Sequence, residues 1–358
     1  MPSSAPAPRR RVTMTDVARA AGMSPMTVSY AYNRPERVSD ESRAKVLRAG
    51  AALGYPGPDP SARSLRYGAT QVLGVVLGEH LTYAFDDPQS IAFLAGIAEV
   101  CAERGYGVLI VPTGSGQDDR GRVVGAAVDA YVVWTTTADD PVLEGACSTR
   151  RPVVIHGGPE RDGAITIGID NRTAAKAVGT EVFATAEHPA VISFPVDRRR
   201  ETFLRAGIDP DTVAYPVTRD RLAGYRDAAR HLGIDWSRVP VAVCRTNDKG
   251  EARTAMRSLL GQAPDIDAIA AMSDQMALGA LQGATRPLRL SGWDDSELAR
   301  QHQLTTVAQS MREQGAACAA AALGESGPDH RDAWRLVRRA STTNAAQLTQ
   351  PPLTGRRE

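Results

Sequence analysis

The sequence of 358 residues predicts a small all-α domain at the N-terminus, followed by a larger α/β domain of two lobes. Residues 13–33 have the pattern of two short helices around a tight turn, and from Val72 onward short apolar runs alternate with segments of helical period. Charge divides the chain at the same place, because residues 1–70 contain 11 basic and 5 acidic residues, whereas the remainder contains 31 and 36. A basic N-terminal head followed by an acidic remainder indicates that only the head binds a polyanion.

The two N-terminal helices are predicted from the residues at their boundaries. Thr13 is expected to cap the first helix with Asp16 as a weak capping box, Gly22 permits the turn, and Ser24 caps the second helix with Pro25 in its first position. The apolar residues of the second helix share the face toward the first helix. The free face is formed by Pro25, Met26, Ser29 and Tyr30. A helix pair with one free face is typical of a helix-turn-helix, whose second helix enters the major groove.

Two further segments extend this head. A third helix is expected between its cap Ser39 and its stop Gly54. Residues 58–66 then have the pattern of one short helix, which is too short to be stable alone. We therefore expect it to order only against a second copy of itself and DNA. Residues 1–12, rich in Pro, Ser and Arg, are expected to form a disordered basic arm.

The whole N-terminal stretch resembles the LacI/GalR family of bacterial repressors. The matching residues are Asp16-Val17-Ala18, Ala21-Gly22, Ser24, Thr27-Val28-Ser29, Asn33, Val38-Ser39, Leu53-Gly54-Tyr55 and Ala62-Arg63-Ser64-Leu65-Arg66. Their order and spacing make this more specific than a single motif.

The resemblance implies a set of DNA contacts. Bases would be read by Pro25, Met26 and Tyr30, none of which offers the bidentate hydrogen bonding of Arg or Gln, so direct readout is expected to be weak. Leu65 would enter the minor groove at a base step. The accompanying hinge residues are Ala62, Arg63 and Arg66. The implied phosphate contacts are Thr13, Ser24, Thr27, Ser29, Asn33, Ser39 and Tyr55.

From Val72 the alternation of buried strands and helices predicts parallel sheets covered on both faces. About 270 residues of this pattern exceed one doubly wound lobe and suit two. This part resembles the effector domain of the LacI/GalR family, which is similar to type I periplasmic sugar-binding proteins. The matching segments are Ser273–Gly279, Gly292–Asp295 and Leu304–Val307.

Domain boundaries follow from these patterns. We predict a helix-turn-helix domain at residues 13–57, a hinge at 58–70, an effector-binding and dimerisation domain at 71–345, and a disordered tail at 346–358. Within the effector domain the lobe boundary is expected near residue 166, with a return near 306. The implied partners are double-stranded DNA with a pseudo-palindromic operator, a small-molecule effector and a second copy of the chain.

A ligand of two α/β lobes binds in the cleft between them, at the carboxyl ends of the strands. The resemblance carries seven effector contacts onto this chain. They are Arg221, Asp294, Ser273, His156, Phe85, Tyr83 and Trp293. Arg221 would bind hydroxyl or carboxylate groups, and Asp294 would accept from sugar hydroxyls. His156 stands where many family members have an acid, which leaves a different ligand class open.

Other functions find less support in the sequence. Gly114-Ser-Gly116 lacks the third glycine of a dinucleotide-binding loop, and no catalytic, metal or cofactor constellation is predicted. The four cysteines are widely separated, which indicates free thiols in a reducing cytoplasm. A periplasmic-type receptor without DNA function is the alternative, opposed by the basic head and by the lack of a secretory signal. No apolar stretch predicts a membrane span. A nucleotide-dependent enzyme is a third, weaker possibility.

Overall fold

The computed structural model describes residues 12–57, 69–80, 83–113, 118–327 and 329–343. Several predicted features lie outside the described residues. They are residues 1–11 of the basic arm, the hinge residues Ala62, Arg63, Leu65 and Arg66, the turn at 114–116, and the tail. The chain divides into two compact units, Met1–Thr70 and Gln71–Glu358, and each is considered by itself.

The N-terminal unit consists of three helices around a small apolar core. They are α1 (Met14–Ala21), α2 (Pro25–Asn33) and α3 (Asp40–Leu53), with a 3₁₀ turn at Pro35–Arg37. Thr13 and Asp16 form a complete capping box, because each side chain accepts a bond from the backbone N–H of the other. The core consists of Val17, Ala18, Ala21, Val28, Ala31 and Val46.

The first lobe of the larger unit contains a parallel sheet of five strands in the order β2-β1-β3-β4-β5. The strands are β1 (Val72–His80), β2 (Gly107–Thr113), β3 (Ala130–Trp134), β4 (Val153–His156) and β5 (Ile165–Ile167). The helices between them are α4 (Tyr83–Asp86), α5 (Pro88–Glu103), α6 (Asp119–Gly125) and α7 (Pro141–Ser148). Strand β3 is buried along its whole length, as expected for a central strand covered on both faces.

The second lobe contains a five-stranded sheet in which one edge strand is antiparallel. Its strands are β6 (Pro189–Ser193), β7 (Phe203–Ala206), β8 (Pro240–Val243), β9 (Ala268–Ala271) and β10 (Arg289–Ser291), in the order β10-β9-β6-β8-β7. Its helices are α8 (Asn171–Phe183), α9 (Pro216–His231), α10 (Lys249–Gln262), α11 (Asp274–Gly283) and α12 (Glu297–Gln301). Strand β7 runs antiparallel to β8, whereas the other pairings are parallel.

The chain passes between the lobes more than once. After β5 it enters the second lobe, and β11 (Thr306–Gln309) remains there, paired with β12 (Trp334–Val337). Helix α13 (Met311–Ala322) lies between these two strands in sequence but packs in the core of the first lobe. The last helix, α14 (Ala340–Thr343), contacts β10. The connections at residues 168–170, 310 and 323–333 therefore join the lobes.

A helical period is visible in the sequence only from about Leu222, whereas helix α9 begins six residues earlier, at Pro216. Pro216 occupies the first helical position, and the following turns contain Arg219, Asp220 and Arg221, so they carry no apolar stripe. The helix forms there because Thr218 and Arg221 are buried against the lobe.

Within the described residues, no helix is both long and apolar enough to cross a membrane.

Candidate functional site

A cavity lies between the two lobes of the larger unit, at the carboxyl ends of strands from both sheets. The space between its walls is about 840 Å³, including its open mouth. Trp134 and His156 end strands of the first lobe, and Phe194 and Asp294 follow strands of the second. In an α/β protein this edge is where ligands bind, because the strand ends present loops and helix N-termini to one crevice.

Arg221 is a buried cation in the cavity wall. Its guanidinium carbon lies 3.8 Å from the centroid of the Trp293 ring, and its Nε donates to Asn171 Oδ1 at 2.9 Å. Nη1 donates to the backbone carbonyl of Met272 at 2.5 Å. Burial lowers the pKa of Arg221 to about 10, so the side chain stays protonated at neutral pH. These contacts fix a planar cation, with donors remaining for a ligand.

Asp294 supplies a carboxyl group of the cavity. Burial, followed by the nearby carboxylate of Asp274, raises its pKa well above the usual range, and Arg221 acts in the other direction. Its backbone has φ of +108°, a conformation that costs a residue with a side chain on the order of 1–3 kcal/mol. A conformation this costly persists only where surrounding contacts hold it, here including the bond from Asp294 N–H to Val307 O at 2.7 Å.

A chain of hydrogen bonds connects Asp294 to the first lobe. Gln309 Nε2 donates to Asp294 Oδ1 at 2.8 Å, and Gln314 Nε2 donates to Gln309 Oε1 at 3.2 Å. The remaining oxygen of Gln314 lies 2.9 Å from His156 Nε2, so that nitrogen carries the proton. Burial lowers the pKa of His156 to about 4, which leaves the ring neutral.

Six of the seven predicted effector contacts have described side chains, and these occupy three kinds of position. Arg221, Asp294 and His156 line the cavity. Ser273 and Trp293 are buried beneath its wall, because Ser273 caps α11 and bonds to Asn247, while Trp293 lies under Arg221. Phe85 is 62% exposed on α4 and is not part of the lining. The side chain of Tyr83 lies outside the described residues.

The sequence interpretation missed several lining residues. They are Asp87, Asn171, Arg200, Asn247, Gln309 and Gln314. Asn247 Nδ2 donates to Asp87 Oδ2 at 2.9 Å, which joins the second lobe to the first. Asp87, Arg200 and Asn247 lie outside helices and strands, whereas Asn171 starts α8, and Gln309 and Gln314 lie on β11 and α13. No local period marks these positions. Asn171 was the most accessible to prediction, because it follows a strand and starts a helix.

The buried carboxylate behind Asp294 predicts a pH effect on folding stability. Burial raises the pKa of Asp274 from 3.8 to about 6, so folding favours its protonated form. Its stabilising contribution is full below pH 4 and is lost as the pH rises through 6. Relative to the wild type, Asp274→Asn should gain about 1 kcal/mol of unfolding free energy between pH 5 and 7. Urea unfolding at both values measures this difference, with exposed Asp265→Asn as the control. Parallel pH profiles of variant and wild type would contradict it.

In the N-terminal unit, the second helix presents the predicted base-reading face. Pro25 is exposed, Met26 is 54% exposed, and Tyr30 is half-buried. The guanidinium carbon of Arg37 lies 5.8 Å from the centroid of the Tyr30 ring, a basic neighbour that the sequence interpretation did not include. An exposed apolar side chain beside a basic group forms a surface suited to a base edge and the adjacent phosphate.

Three of the predicted phosphate contacts stand at helix N-termini. Thr13, Ser24 and Ser39 each accept a backbone N–H three residues ahead as N-caps. Helix N-termini carry partial positive charge, which favours phosphate. Asn33 donates to Ser29 O at 3.0 Å, Tyr55 packs edge-on against Tyr32, and Thr27 bonds to Ser24. Ser29 is buried, because the side of α2 that carries it packs into the unit rather than forming its free face.

A helix-turn-helix unit joined to a two-lobed binding unit defines a DNA-binding regulator that responds to a small molecule. Residues 13–57 match the model of bacterial regulatory proteins of the lacI family, and residues 70–318 match that of periplasmic binding proteins and the sugar-binding domain of the LacI family. The chain belongs to the LacI family. The predictions of family, fold class and regulator class are thereby confirmed.

Relatives of the chain are named as transcriptional regulators. It is 34% identical over 325 residues to the regulator Rv3575c of Mycobacterium tuberculosis, covering 87% of this chain and 90% of the relative. It is 32% identical to IpsA of Corynebacterium glutamicum, over 85% of this chain and 88% of the relative. A structure of the regulator CelR with cellobiose has 25% identity and a TM-score of 0.64, over 92% of this chain and all of the other. The Lac repressor dimer on its operator has the same fold, with a TM-score of 0.70 at 20% identity over 93% and 99% of the chains.

Proposed function

We propose that the chain is a dimeric repressor whose affinity for a pseudo-palindromic operator is set by a hydroxyl-rich effector in the interlobe cavity. The observation that carries the effector assignment is that Arg221 and Asp294 both line one cavity at the strand ends. A guanidinium donates in one plane and the oxygens of a carboxyl group accept, so together they match the alternating donors and acceptors of a polyol or sugar.

Aromatic side chains complete this recognition. Trp134, Phe194 and Tyr215 line the cavity, and flat rings pack against the C–H faces of a sugar ring. His156, whose ring is kept neutral by burial, adds an uncharged polar group to the cavity wall. Among relatives, CelR was solved with cellobiose, and ribose operon repressors of Escherichia coli and Haemophilus influenzae are 28% and 27% identical. These names support a carbohydrate-like effector.

Two experiments test the proposed function. Selection from a random duplex library with the full-length protein should enrich one sequence with two related half-sites. A thermal-shift screen of sugars, sugar acids and purines should return a ligand that raises the melting temperature and changes affinity for the selected duplex. Failure to enrich any duplex, with or without metabolites, would contradict the DNA-binding assignment. A ligand that stabilises the chain without altering duplex affinity would contradict effector control.

The base-reading face can be tested by single substitutions in α2. Met26→Ala and Tyr30→Ala should each weaken binding to the selected duplex by up to roughly 5-fold, less than the about 1–3 kcal/mol of a bidentate base contact, because neither side chain makes one. Binding to random duplex should change much less, because phosphate contacts carry no sequence information. Fluorescence anisotropy with both duplexes measures the ratio. Leu47→Ala, which removes an exposed apolar residue from α3, is the matched control. An unchanged ratio in both α2 variants would exclude this face.

The hinge prediction has its own test, because Leu65 lies outside the described residues. Leu65→Ala should lose selectivity for the operator in a gel-shift assay while keeping binding to random duplex, since the minor-groove insertion bends the centre of the site. Full selectivity in this variant would remove the insertion from the proposal.

A further inference from the structure

The connection between β6 and α9 departs from the pattern of the second lobe. Strand-to-helix connections in α/β units usually take 2–6 residues, whereas here residues 194–215 intervene. They include β7, the antiparallel edge strand of an otherwise parallel sheet. Phe194 at one end of this segment and Tyr215 at the other both line the effector cavity. The 194–215 segment is therefore an addition to the lobe placed at the mouth of the cavity.

Two arginines of the 194–215 segment reach across the cleft to the first lobe. Arg200 Nη2 donates to the carbonyl of Gly78 on β1 at 3.2 Å. Arg198 Nη1 donates to the carbonyl of Asp139 at 3.5 Å, and its Nε lies 3.9 Å from the carboxylate of Asp140. The acceptors all belong to the first lobe, while both donors belong to the second. Opening the cleft would separate each of these pairs.

The second lobe holds the Arg200 guanidinium in place. Its carbon lies 5.3 Å from the Tyr215 ring centroid, and Nη2 donates to the Tyr215 hydroxyl at 3.1 Å. Nη1 donates to the carbonyl of Arg245 at 3.3 Å. The backbone at Arg200 has φ of +52°, a left-handed conformation at the tip of the loop. A donor positioned in this way loses little side-chain entropy when it meets the Gly78 carbonyl, so more of the bond's free energy favours the closed cleft.

We infer that the 194–215 segment is a cross-lobe latch, in which Arg200 and Arg198 stabilise the closed arrangement before effector binds. Arg200 also lines the effector cavity, so the latch and the ligand act on the same equilibrium. A ligand that prefers the closed lobes gains apparent affinity in proportion to the fraction of chains already closed. The regulatory half of this inference, that the latch affects duplex affinity, rests on the proposed function. The structural half, that the latch holds the lobes closed, does not.

The test compares three variants of the full-length protein without any ligand. Arg200→Ala and Arg198→Ala each remove one cross-lobe contact. Arg199→Ala is the matched control, because Arg199 lies between them, is largely exposed, and pairs with Asp197 in its own loop. Acrylamide quenching of tryptophan fluorescence reports opening through Trp134, which lines the cavity. Both latch variants should be quenched more strongly than the control. Arg198 does not line the effector cavity, so a rise in its variant reports opening rather than local removal of a side chain.

The regulatory half is measured with the duplex recovered by selection. Loss of the latch should change ligand-free duplex affinity about tenfold, within the 5- to 150-fold range of typical allosteric coupling. Thermal unfolding confirms that each variant is folded. Arg200→Lys should have quenching and duplex affinity between those of Arg200→Ala and the wild type. Quenching equal to the control in both latch variants would overturn the inference. Increased quenching without any change in duplex affinity would overturn its regulatory half. If no duplex is enriched at all, the proposed function fails while the quenching result still decides the latch.

Discussion

Replacement of Arg221 by alanine should reduce effector affinity on the order of 100-fold or more, while ligand-free operator affinity stays within a few-fold of wild type. Arg221 is buried and stacked on Trp293, and its remaining donors face the cavity beside Asp294. Removing the guanidinium takes away charge-assisted hydrogen bonds to the effector, each worth about 1.5–3 kcal/mol, and leaves Asn171 and the Met272 carbonyl without this donor. Calorimetry with the ligand found in the thermal-shift screen measures the loss.

The control for this variant lies on the same helix. Arg219→Ala removes a guanidinium that is 44% exposed and pairs with Asp220, outside the lining of the effector cavity. It should bind effector as the wild type does. Arg221→Lys keeps the charge but loses the planar donor geometry, so it should fall between the two. Effector affinity within threefold of wild type in folded Arg221→Ala would contradict the assigned role.

The strands were the part of the fold best predicted from sequence. The apolar runs at 131–134 and 190–193 predict two of the strands, which the structure extends by one residue at the start as β3 and β6, and the run at 289–291 coincides with β10. Buried parallel strands are apolar along their whole length, so their limits are visible in the sequence. Strand β7 was missed, because Phe203 and Leu204 are followed by Arg205 and the run is short. Its position at the sheet edge depends on pairing with β8, which no local pattern records.

The candidate site was predictable only where resemblance supplied positions. Arg221, Asp294 and His156 share the cavity, but the glutamine chain between Asp294 and His156 was not anticipated. Gln309 and Gln314 lie on either side of a crossing between lobes, so their meeting depends on the return path of the chain. Phe85 was predicted as an effector contact, yet its side chain on α4 is exposed. In each case the position of the side chain depends on how segments distant in sequence pack together, which no local pattern contains.

The packing that supports Arg221 also predicts that a substitution at Gly224 has a large effect on stability and effector binding. This glycine lies on α9, one turn after Arg221, where the helix crosses α8. A Cβ added there would overlap the carbonyl oxygen of Arg172 and lie 2.6 Å from the Cβ of Ala175. Both neighbours belong to α8, which also supplies Asn171 to the guanidinium of Arg221. The close approach of these helices therefore sets the 2.9 Å bond between Arg221 and Asn171.

Gly224→Ala should lower the free energy of unfolding by about 3 kcal/mol, since overpacking against backbone forces the helices apart. It should also weaken effector binding, because a binding group needs placement within about 0.5 Å. Gly261→Ala is the matched control, a helical glycine whose added Cβ would meet nothing within 4 Å. Helix propensity predicts that this control gains up to about 1 kcal/mol. Opposite signs in urea unfolding would attribute the loss to the crossing of α8 and α9, whereas equal signs would mean that the crossing tolerates a methyl group and that Arg221 is positioned by other contacts.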